Sequence, residues 1–244
     1  MKPSKLKRFL LSGAAVVALA TILACGPAAS KNDTVGAVER SEGKAEIEVN
    51  GVRSPLKAGD PLPVGGVVHT GADGLVIAVL KDGRAEIEIQ RNTELYLKEL
   101  ADKSNELHVR SGHLWARVNK LDPNEKFNIH TPTAIAGIRG TQLYTFVMKD
   151  AQGRDIHGTC HCEGAVQFDT HDAKYTGIHN ADQVVLTREG KTVLLTAEEL
   201  SFMGNGDHRH STVEGSRLGP QQRELTPEQM RKFIEVVEKK FAEG

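Results

Sequence analysis

The sequence has little cysteine, few aromatic residues and no strong excess of charge of either sign. Cysteine occurs three times, Phe, Trp and Tyr make up 5% of the 244 residues, and 31 Lys and Arg stand against 32 Asp and Glu. Three cysteines are too few for the four thiolates that an iron–sulfur cluster typically uses. No stretch is rich in Lys and Arg, which argues against nucleic-acid binding, because that function needs a basic face.

Motifs of common catalytic sites are also missing. The sequence contains no nucleophile elbow, no glycine-rich phosphate loop and no helical zinc-protease motif. Its carboxylates are spread along alternating stretches, where they are typical of solvated strand faces. We therefore expect a protein that is not an enzyme and that requires no cofactor.

The N-terminus has the order of an export signal. Residues 1–8 carry four basic residues and no acid, and residues 9–24 are uncharged, mostly apolar and end in a small residue. This order is typical of a secretory signal peptide, and the apolar run is shorter than the ~20 residues that span a bilayer. Removal of this segment would leave a mildly acidic chain.

The end of the apolar run, "ILACG" (22–26), resembles a bacterial lipobox, in which the cysteine is lipidated and becomes the first mature residue. By that resemblance, residues 1–24 are a lipoprotein signal peptide, Cys25 is the lipidation site and residues 25–34 are a lipidated tether. Gly26 in place of Asp resembles outer-membrane lipoproteins of enterobacteria. We expect a protein held by its lipid on the cell envelope and facing the periplasm, in the outer membrane; a signal peptide cut elsewhere is the alternative.

From about residue 35 onward the pattern is that of β-strands. "AEIEV" (45–49) and "AEIEIQ" (85–90) alternate apolar and charged residues, as half-buried strands do. Turn signals recur about every eight to twelve residues, a spacing typical of all-β sandwiches and rolls. The sequence therefore predicts a mainly β domain over 35–196, a β-sandwich or β-roll.

Helix signals appear late in the chain. Thr196-x-x-Glu199 and Thr226-x-x-Gln229 both have the spacing of a capping box. We predict a short helix and polar loop over 197–225 and an amphipathic C-terminal helix over 226–243. The apolar stripe of that helix is expected to pack on the β domain, with partner docking as the alternative; it consists of Met230, Phe233, Ile234, Val237 and Phe241.

Residues 67–168 resemble the FecR domain. The motifs that carry this resemblance are Thr70-Gly71, Asp82-Gly83, Asn92-Thr93, Gly112, Thr131-Pro132 and Arg139-Gly140-Thr141. A glycine at position 140 indicates a strand bend, and we expect Arg139 beside it to form a buried ion pair, so that the Arg139-Gly140-Thr141 motif shapes the fold.

The resemblance implies an extracytoplasmic β module. The founding member of the family relays an iron-transport signal through a transmembrane helix and a cytoplasmic segment, neither of which is expected in this chain. We therefore predict a non-catalytic binding or scaffolding module whose partner is a protein or an envelope polymer. One alternative is a part in envelope or iron-uptake signalling without a cytoplasmic domain of its own.

The stretch "HGTCHCEG" (157–164) supports a second alternative, a metal-binding or metal-sensing protein. In a strand, Cys160 and Cys162 share one face and His161 lies on the other. Their Cα atoms would be about 6.6 Å apart, so a disulfide would be strained, and two thiolates on one face could instead bind copper or zinc. A disulfide or two buried thiols remain open as well. The further ligand candidates are His171, His179, His208 and His210.

Overall fold

The computed structural model describes residues 34–80, 83–98, 104–119, 121–150, 152–179, 183–203 and 226–243. The predicted signal peptide, Cys25, nearly all of the tether, His208 and His210 lie outside these residues. The described residues are mainly β, as predicted, with a helix at the C-terminal end.

The elements follow one another as β1 (Thr34–Glu42), β2 (Ala45–Val49), β3 (Val52–Pro55), β4 (Pro61–Pro63), β5 (Val67–Thr70), β6 (Leu75–Leu80), β7 (Ala85–Ile89), β8 (Glu94–Lys98), β9 (Ser104–Val118), β10 (Lys126–His130), β11 (Ala134–Ile138), β12 (Thr141–Lys149), β13 (Asp155–Glu163), β14 (Val166–Thr170), β15 (Gly177–His179), β16 (Gln183–Arg188), β17 (Lys191–Thr196) and α1 (Pro227–Glu243).

The strands form two layers that share one long strand. In layer A the hydrogen-bonded order is β4-β1-β6-β7-β9-β12-β13-β16-β17. In layer B the order is β3-β2-β5-β8-β9-β10-β11-β14-β15. Strand β9 pairs with β8 and β10 through its first half and with β7 and β12 through its second half, so it links the layers.

The main hydrophobic core lies between the two layers. Layer A contributes Ile87 and Leu114, and layer B contributes Leu97, Leu107 and Phe127, all of them almost fully buried. Each of these residues alternates with polar or outward-facing neighbours, because successive side chains of a strand point to opposite faces. The alternation seen in the sequence therefore corresponds to one face directed into the core.

Strand β9 passes from one layer to the other at Gly112, which has a φ of 84°. A Cβ at this position would lie 2.3 Å from the Thr93 hydroxyl oxygen. That hydroxyl accepts a hydrogen bond from the backbone N–H of His113 at 2.8 Å, and the Thr70 hydroxyl accepts one from the N–H of Thr93 at 2.9 Å. Thr70, Thr93 and Gly112, three of the residues that carry the family resemblance, thus meet at this corner.

Helix α1 covers part of the outer face of layer A. It begins at the predicted capping box, in which Thr226 N–H donates to Gln229 Oε1 at 2.9 Å and Gln229 N–H donates to Thr226 Oγ1 at 3.2 Å. Phe233, Val237 and Phe241 are buried in an apolar cluster against β16 and β17. These three residues of the apolar stripe therefore pack on the β domain, as predicted. No helix among the described residues combines the length and the apolar character needed to cross a membrane.

Charged side chains form hydrogen bonds between α1 and the strands of layer A. Arg188 at the end of β16 donates to Glu238 of the helix at 2.6 Å and to Asp150 at 3.1 Å. Its guanidinium also lies 4.2 Å from the centre of the Phe241 ring. Arg154 donates to the same Asp150 carboxylate at 2.6 Å. Since Arg188 and Asp150 are both buried, these bonds fix the helix at one position on layer A.

The other predicted capping box does not start an α-helix. Thr196 N–H donates to Glu199 Oε2 at 2.9 Å, and Glu199 N–H donates back to Thr196 Oγ1 at 3.4 Å. The chain then forms turns and a 3-10 helix at Ser201–Met203. A capping box satisfies the first N–H groups of a turn, but the helix that follows depends on what its side chains can pack against.

Candidate functional site

The cysteine pair lies on the outer face of layer A. Strand β13, between β12 and β16, directs both side chains outward, and Cys160 is buried in the apolar cluster beneath α1 while Cys162 packs against it. The two sulfur atoms are 3.5 Å apart. A disulfide bond has a length of about 2.05 Å, so the structure holds this pair as two neighbouring thiols.

Alternation along β13 separates the cysteines from the nearest histidines. His161 points to the inner side of the sandwich, where its ring centre lies 5.6 Å from that of His179. His179 pairs with Val166, which is part of the inner core, so His179 lies on the opposite side of layer A from both sulfurs. His179 Nε2 is instead 2.7 Å from the backbone oxygen of Tyr175.

His171 does not join the cysteines either, since it is exposed at the end of β14 in layer B. Among the described residues, no third His, Asp or Glu ligand atom lies within 4.8 Å of both sulfurs. His208 and His210 lie outside the described residues. Of the predicted ligands within the described residues, Cys160 and Cys162 are the two that lie together.

His161 occupies an unusual environment for a histidine. It is fully buried beside the ring of Phe168, at 5.8 Å between ring centres. Neither ring nitrogen has a hydrogen-bond partner within the described part of the chain. Burial, and then the neighbouring His179, lowers the pKa of His161 to about 3. The imidazole is therefore neutral at physiological pH.

We expect His161 to make the protein sensitive to mild acid. The unfolded chain takes up a proton at this residue below about pH 6.5, whereas the folded chain does so near pH 3, so stability falls as the pH decreases between these values. Each pH unit costs about 1.4 kcal/mol. The His161→Phe variant should lose about 2 kcal/mol less than the wild type between pH 7 and pH 5 in urea-unfolding experiments, while His171→Gln, at an exposed position, should follow the wild type. Equal losses in wild type and His161→Phe would contradict this expectation.

The Arg139-Gly140-Thr141 motif forms the passage from β11 in layer B to β12 in layer A. Gly140 has a φ of 82°, so the predicted bend is present. Thr141 is buried at the start of β12. Arg139, however, is exposed. The predicted buried ion pair was wrong, because the turn lies at the end of the sandwich, where the Arg139 side chain extends into water.

The outer face of layer B is an open surface, since helix α1 packs on layer A instead. It is rich in histidine and carboxylate side chains and carries Tyr96; these side chains point outward because their strand neighbours point into the core. Arg110 donates to Glu94 at 2.8 Å and lies 5.1 Å from the centre of the Tyr96 ring. We refer to this surface as the open face; its residues include Glu48, His69, Glu94, Tyr96, Lys98, Glu106, His108, Arg110 and His130.

One group on the open face brings three ligand-type side chains together. The rings of His108 and His130 stack with their centres 4.3 Å apart and an interplanar angle of 9°. Glu106 Oε2 lies 3.9 Å from His108 Nε2, 4.0 Å from His130 Nε2 and 2.9 Å from Lys98 Nζ. Burial lowers the pKa of both histidines. Both rings are therefore mainly neutral near pH 7.

This group was not among the site residues predicted from the sequence. The alternation in "ELHV" (106–109) and "FNIH" (127–130) indicates that Glu106, His108 and His130 point outward. What the sequence does not indicate is that β10 runs parallel to β9 and sets His130 opposite His108. Without that register, histidines 22 positions apart give no sign of proximity.

The comparison with known protein families agrees with the resemblance found in the sequence. The family model described as "FecR protein" matches residues 66–167. Two crystal structures of a "putative anti-sigma factor" from Parabacteroides distasonis are similar at 12% identity, with TM-scores of 0.46 and 0.45. The alignments cover 55% and 57% of this chain and 62% and 64% of those chains, which is less than two thirds of their length. No curated protein matches this sequence.

The matched family has a characteristic cellular setting. FecR proteins are associated with the cell envelope and are generally regulatory. The match begins just before β5 and ends within β14, and therefore includes the corner at Gly112 and most of the open face. Residues 66–167 of this chain are a FecR domain.

Proposed function

We propose that this protein is a lipid-anchored, extracytoplasmic FecR-domain module that binds a partner on the cell envelope and catalyses no reaction. The lipid on Cys25 would hold it on the outer membrane with the β domain in the periplasm. The partner is a protein or an envelope polymer. The observation that carries the proposal is the open face, a broad, uncovered strand surface on the layer opposite α1.

The chemistry of the open face suits recognition. Tyrosine and arginine are enriched where proteins bind one another, because each combines a large apolar or planar surface with hydrogen-bonding groups. Tyr96 and Arg110 stand side by side near the middle of this surface, in contact with each other. The carboxylates around them pair with neighbouring cations, as Glu48 does with Arg53 at 2.9 Å. The surface is thus ordered before a partner arrives, which reduces the entropy cost of binding.

Site-specific photocrosslinking in intact cells tests the proposal. A photoreactive residue in place of Tyr96, in the full-length chain, is expected to give a discrete crosslinked product. The same residue in place of Lys239, an exposed position on the far side of the protein, should give none. Digestion of the product with a muramidase separates a peptidoglycan partner from a protein partner. No product at Tyr96, or the same products at both positions, would contradict the proposal.

The sulfur pair supports a second candidate function, copper or zinc binding. Zn–S bonds of about 2.3 Å in a tetrahedron place two sulfurs about 3.8 Å apart. The observed 3.5 Å between Cys160 and Cys162 is close to this value. His208 and His210 remain the predicted further ligands. A part in envelope or iron-uptake signalling without a cytoplasmic domain also stays a prediction, supported by the family relationship.

A further inference from the structure

We propose that Glu106, His108 and His130 form a binding site for a borderline divalent cation of the Zn²⁺ class. The site lies on the open face of layer B and is separate from Cys160 and Cys162, which lie on the outer face of layer A. Among the described residues, these three form the group whose His, Cys, Asp or Glu ligand atoms all come within 4.8 Å of one another.

The backbone places the three side chains together. Glu106 and His108 are two residues apart on β9 and therefore share the outer face. Strand β10 pairs with β9 in parallel, with His130 opposite His108. All the other strand pairings in the described part of the protein are antiparallel. The parallel register thus sets the two imidazoles next to the carboxylate.

The ring nitrogens of the two histidines lack the partners that such atoms normally have. Nε2 of His108 and Nε2 of His130 are shielded from solvent and have no hydrogen-bond partner among the described residues. At 3.9 and 4.0 Å they are too far from Glu106 Oε2 for a hydrogen bond. His69 on the same face shows the ordinary arrangement, with its Nε2 3.0 Å from Glu48 Oε2. An unpartnered buried nitrogen is costly, and a cation would satisfy both at once.

The donor set fits a zinc-type ion. Two imidazole nitrogens and one glutamate oxygen are a known zinc ligand set, which leaves coordination positions for water or another donor. Bonds of about 2.1 Å in a tetrahedron place ligand atoms about 3.4 Å apart, so each nitrogen has to approach the oxygen by about 0.5 Å. The stacked rings must also turn so that each plane contains the ion. The χ2 torsion of histidine is soft, and the side chains of His108 and His130 are partly exposed.

Lys98 currently occupies the position of a cation at this carboxylate. Its ammonium lies 2.9 Å from Glu106 Oε2, and 48% of its side chain is exposed. A flexible, solvent-exposed lysine can move away when a divalent ion binds, because its salt bridge contributes little energy. Binding of Zn²⁺ would thus replace the Lys98 ammonium, which cannot coordinate further ligands, by a metal ion that still has free coordination positions. If the proposed partner-binding function holds, a donor from the partner could fill one of them.

Titration of the full-length chain in detergent with Zn²⁺ tests the site. The Cys160→Ser/Cys162→Ser variant serves as the background, so that the thiols cannot contribute. We expect this background to bind one equivalent of Zn²⁺. Adding His108→Gln and His130→Gln should weaken binding by about 100-fold or more, since two of the three protein ligands are lost. His69→Gln, the matched change on the same face, should leave the affinity unchanged.

A second variant excludes unfolding as the explanation. Lys98→Met removes the competing ammonium and should tighten Zn²⁺ binding by about fivefold, a gain that no unfolded protein would show. In long-range ¹H–¹⁵N spectra, the Nε2 signals of His108 and His130 should shift on addition of Zn²⁺ while those of His69 stay. Failure of the Cys-deficient background to bind Zn²⁺, or an affinity that survives the loss of both histidines, would overturn the proposal. These results do not depend on whether a crosslinked partner is found.

Discussion

Replacing Cys25 with alanine, together with a signal peptide that is cleaved without lipidation in place of residues 1–24, is expected to move the protein from the membrane fraction to the soluble fraction. The proposed anchor is the lipid attached to that cysteine, and each buried CH₂ group of an acyl chain contributes about 0.8 kcal/mol to membrane binding. Several chains together make dissociation negligible, whereas the described residues offer no membrane-spanning helix to replace them. Fractionation of cells grown with a labelled fatty acid measures both the lipidation and the location of the protein. The variant should carry no label and should be absent from the membrane fraction.

The other two cysteines provide the matched control. The Cys160→Ser/Cys162→Ser variant should keep the label and the membrane location, since neither residue follows a lipobox-like sequence. Mass spectrometry of the purified wild type should show an N-terminus at a modified Cys25. An unmodified thiol at that position, or a chain that still begins at Met1, would rule out the anchor and the periplasmic location derived from it.

Much of the fold could be predicted because its elements depend on local sequence. "AEIEV" (45–49) forms β2 over Ala45–Val49 and "AEIEI" (85–89) forms β7, since alternation requires nothing beyond one buried and one solvated face. Helix α1 begins at Pro227, directly after the capping residue Thr226, because its capping box and apolar stripe are both encoded within a few turns. The mainly β architecture with a C-terminal helix followed from these signals.

The site could not be predicted to the same extent, because it depends on pairings between distant segments. Strand β9 passes from layer B to layer A, and its first half pairs in parallel with β10. These two features determine which histidines lie close together. His179 was one of four histidines predicted as ligands beside Cys160 and Cys162, yet the sheet separates it from both sulfurs. The same limitation affected Arg139, whose exposure depends on where the turn ends relative to the core. The residue types indicated which side chains could bind a metal ion, whereas the pairing of distant strands determined which of these side chains lie close together.

The corner at Gly112 is expected to be the position most sensitive to a small change. Gly112→Ala should destabilise the protein by about 3 kcal/mol in urea-unfolding experiments at pH 7. A positive φ costs a residue with a Cβ about 1–2 kcal/mol, and an overpacked site adds about 1–3 kcal/mol. Here the methyl group would lie 2.3 Å from Thr93 Oγ1 and 2.5 Å from the backbone oxygen of Asn92. Backbone atoms cannot yield without loss of the bond between Thr93 and His113.

Gly59 offers a control that separates backbone strain from the steric clash. Its φ is 89°, similar to that of Gly112, but a Cβ there would have no atom within 4 Å. Gly59→Ala should therefore cost about 1 kcal/mol, the strain component alone. Equal losses in the two variants would mean that the corner yields easily and does not fix β9. A loss in Gly112→Ala that exceeds the loss in Gly59→Ala by about 2 kcal/mol would instead show that the close contact between Gly112 and Thr93 holds the two layers in register. The same contact would then fix the position of Glu106 and His108 on the open face.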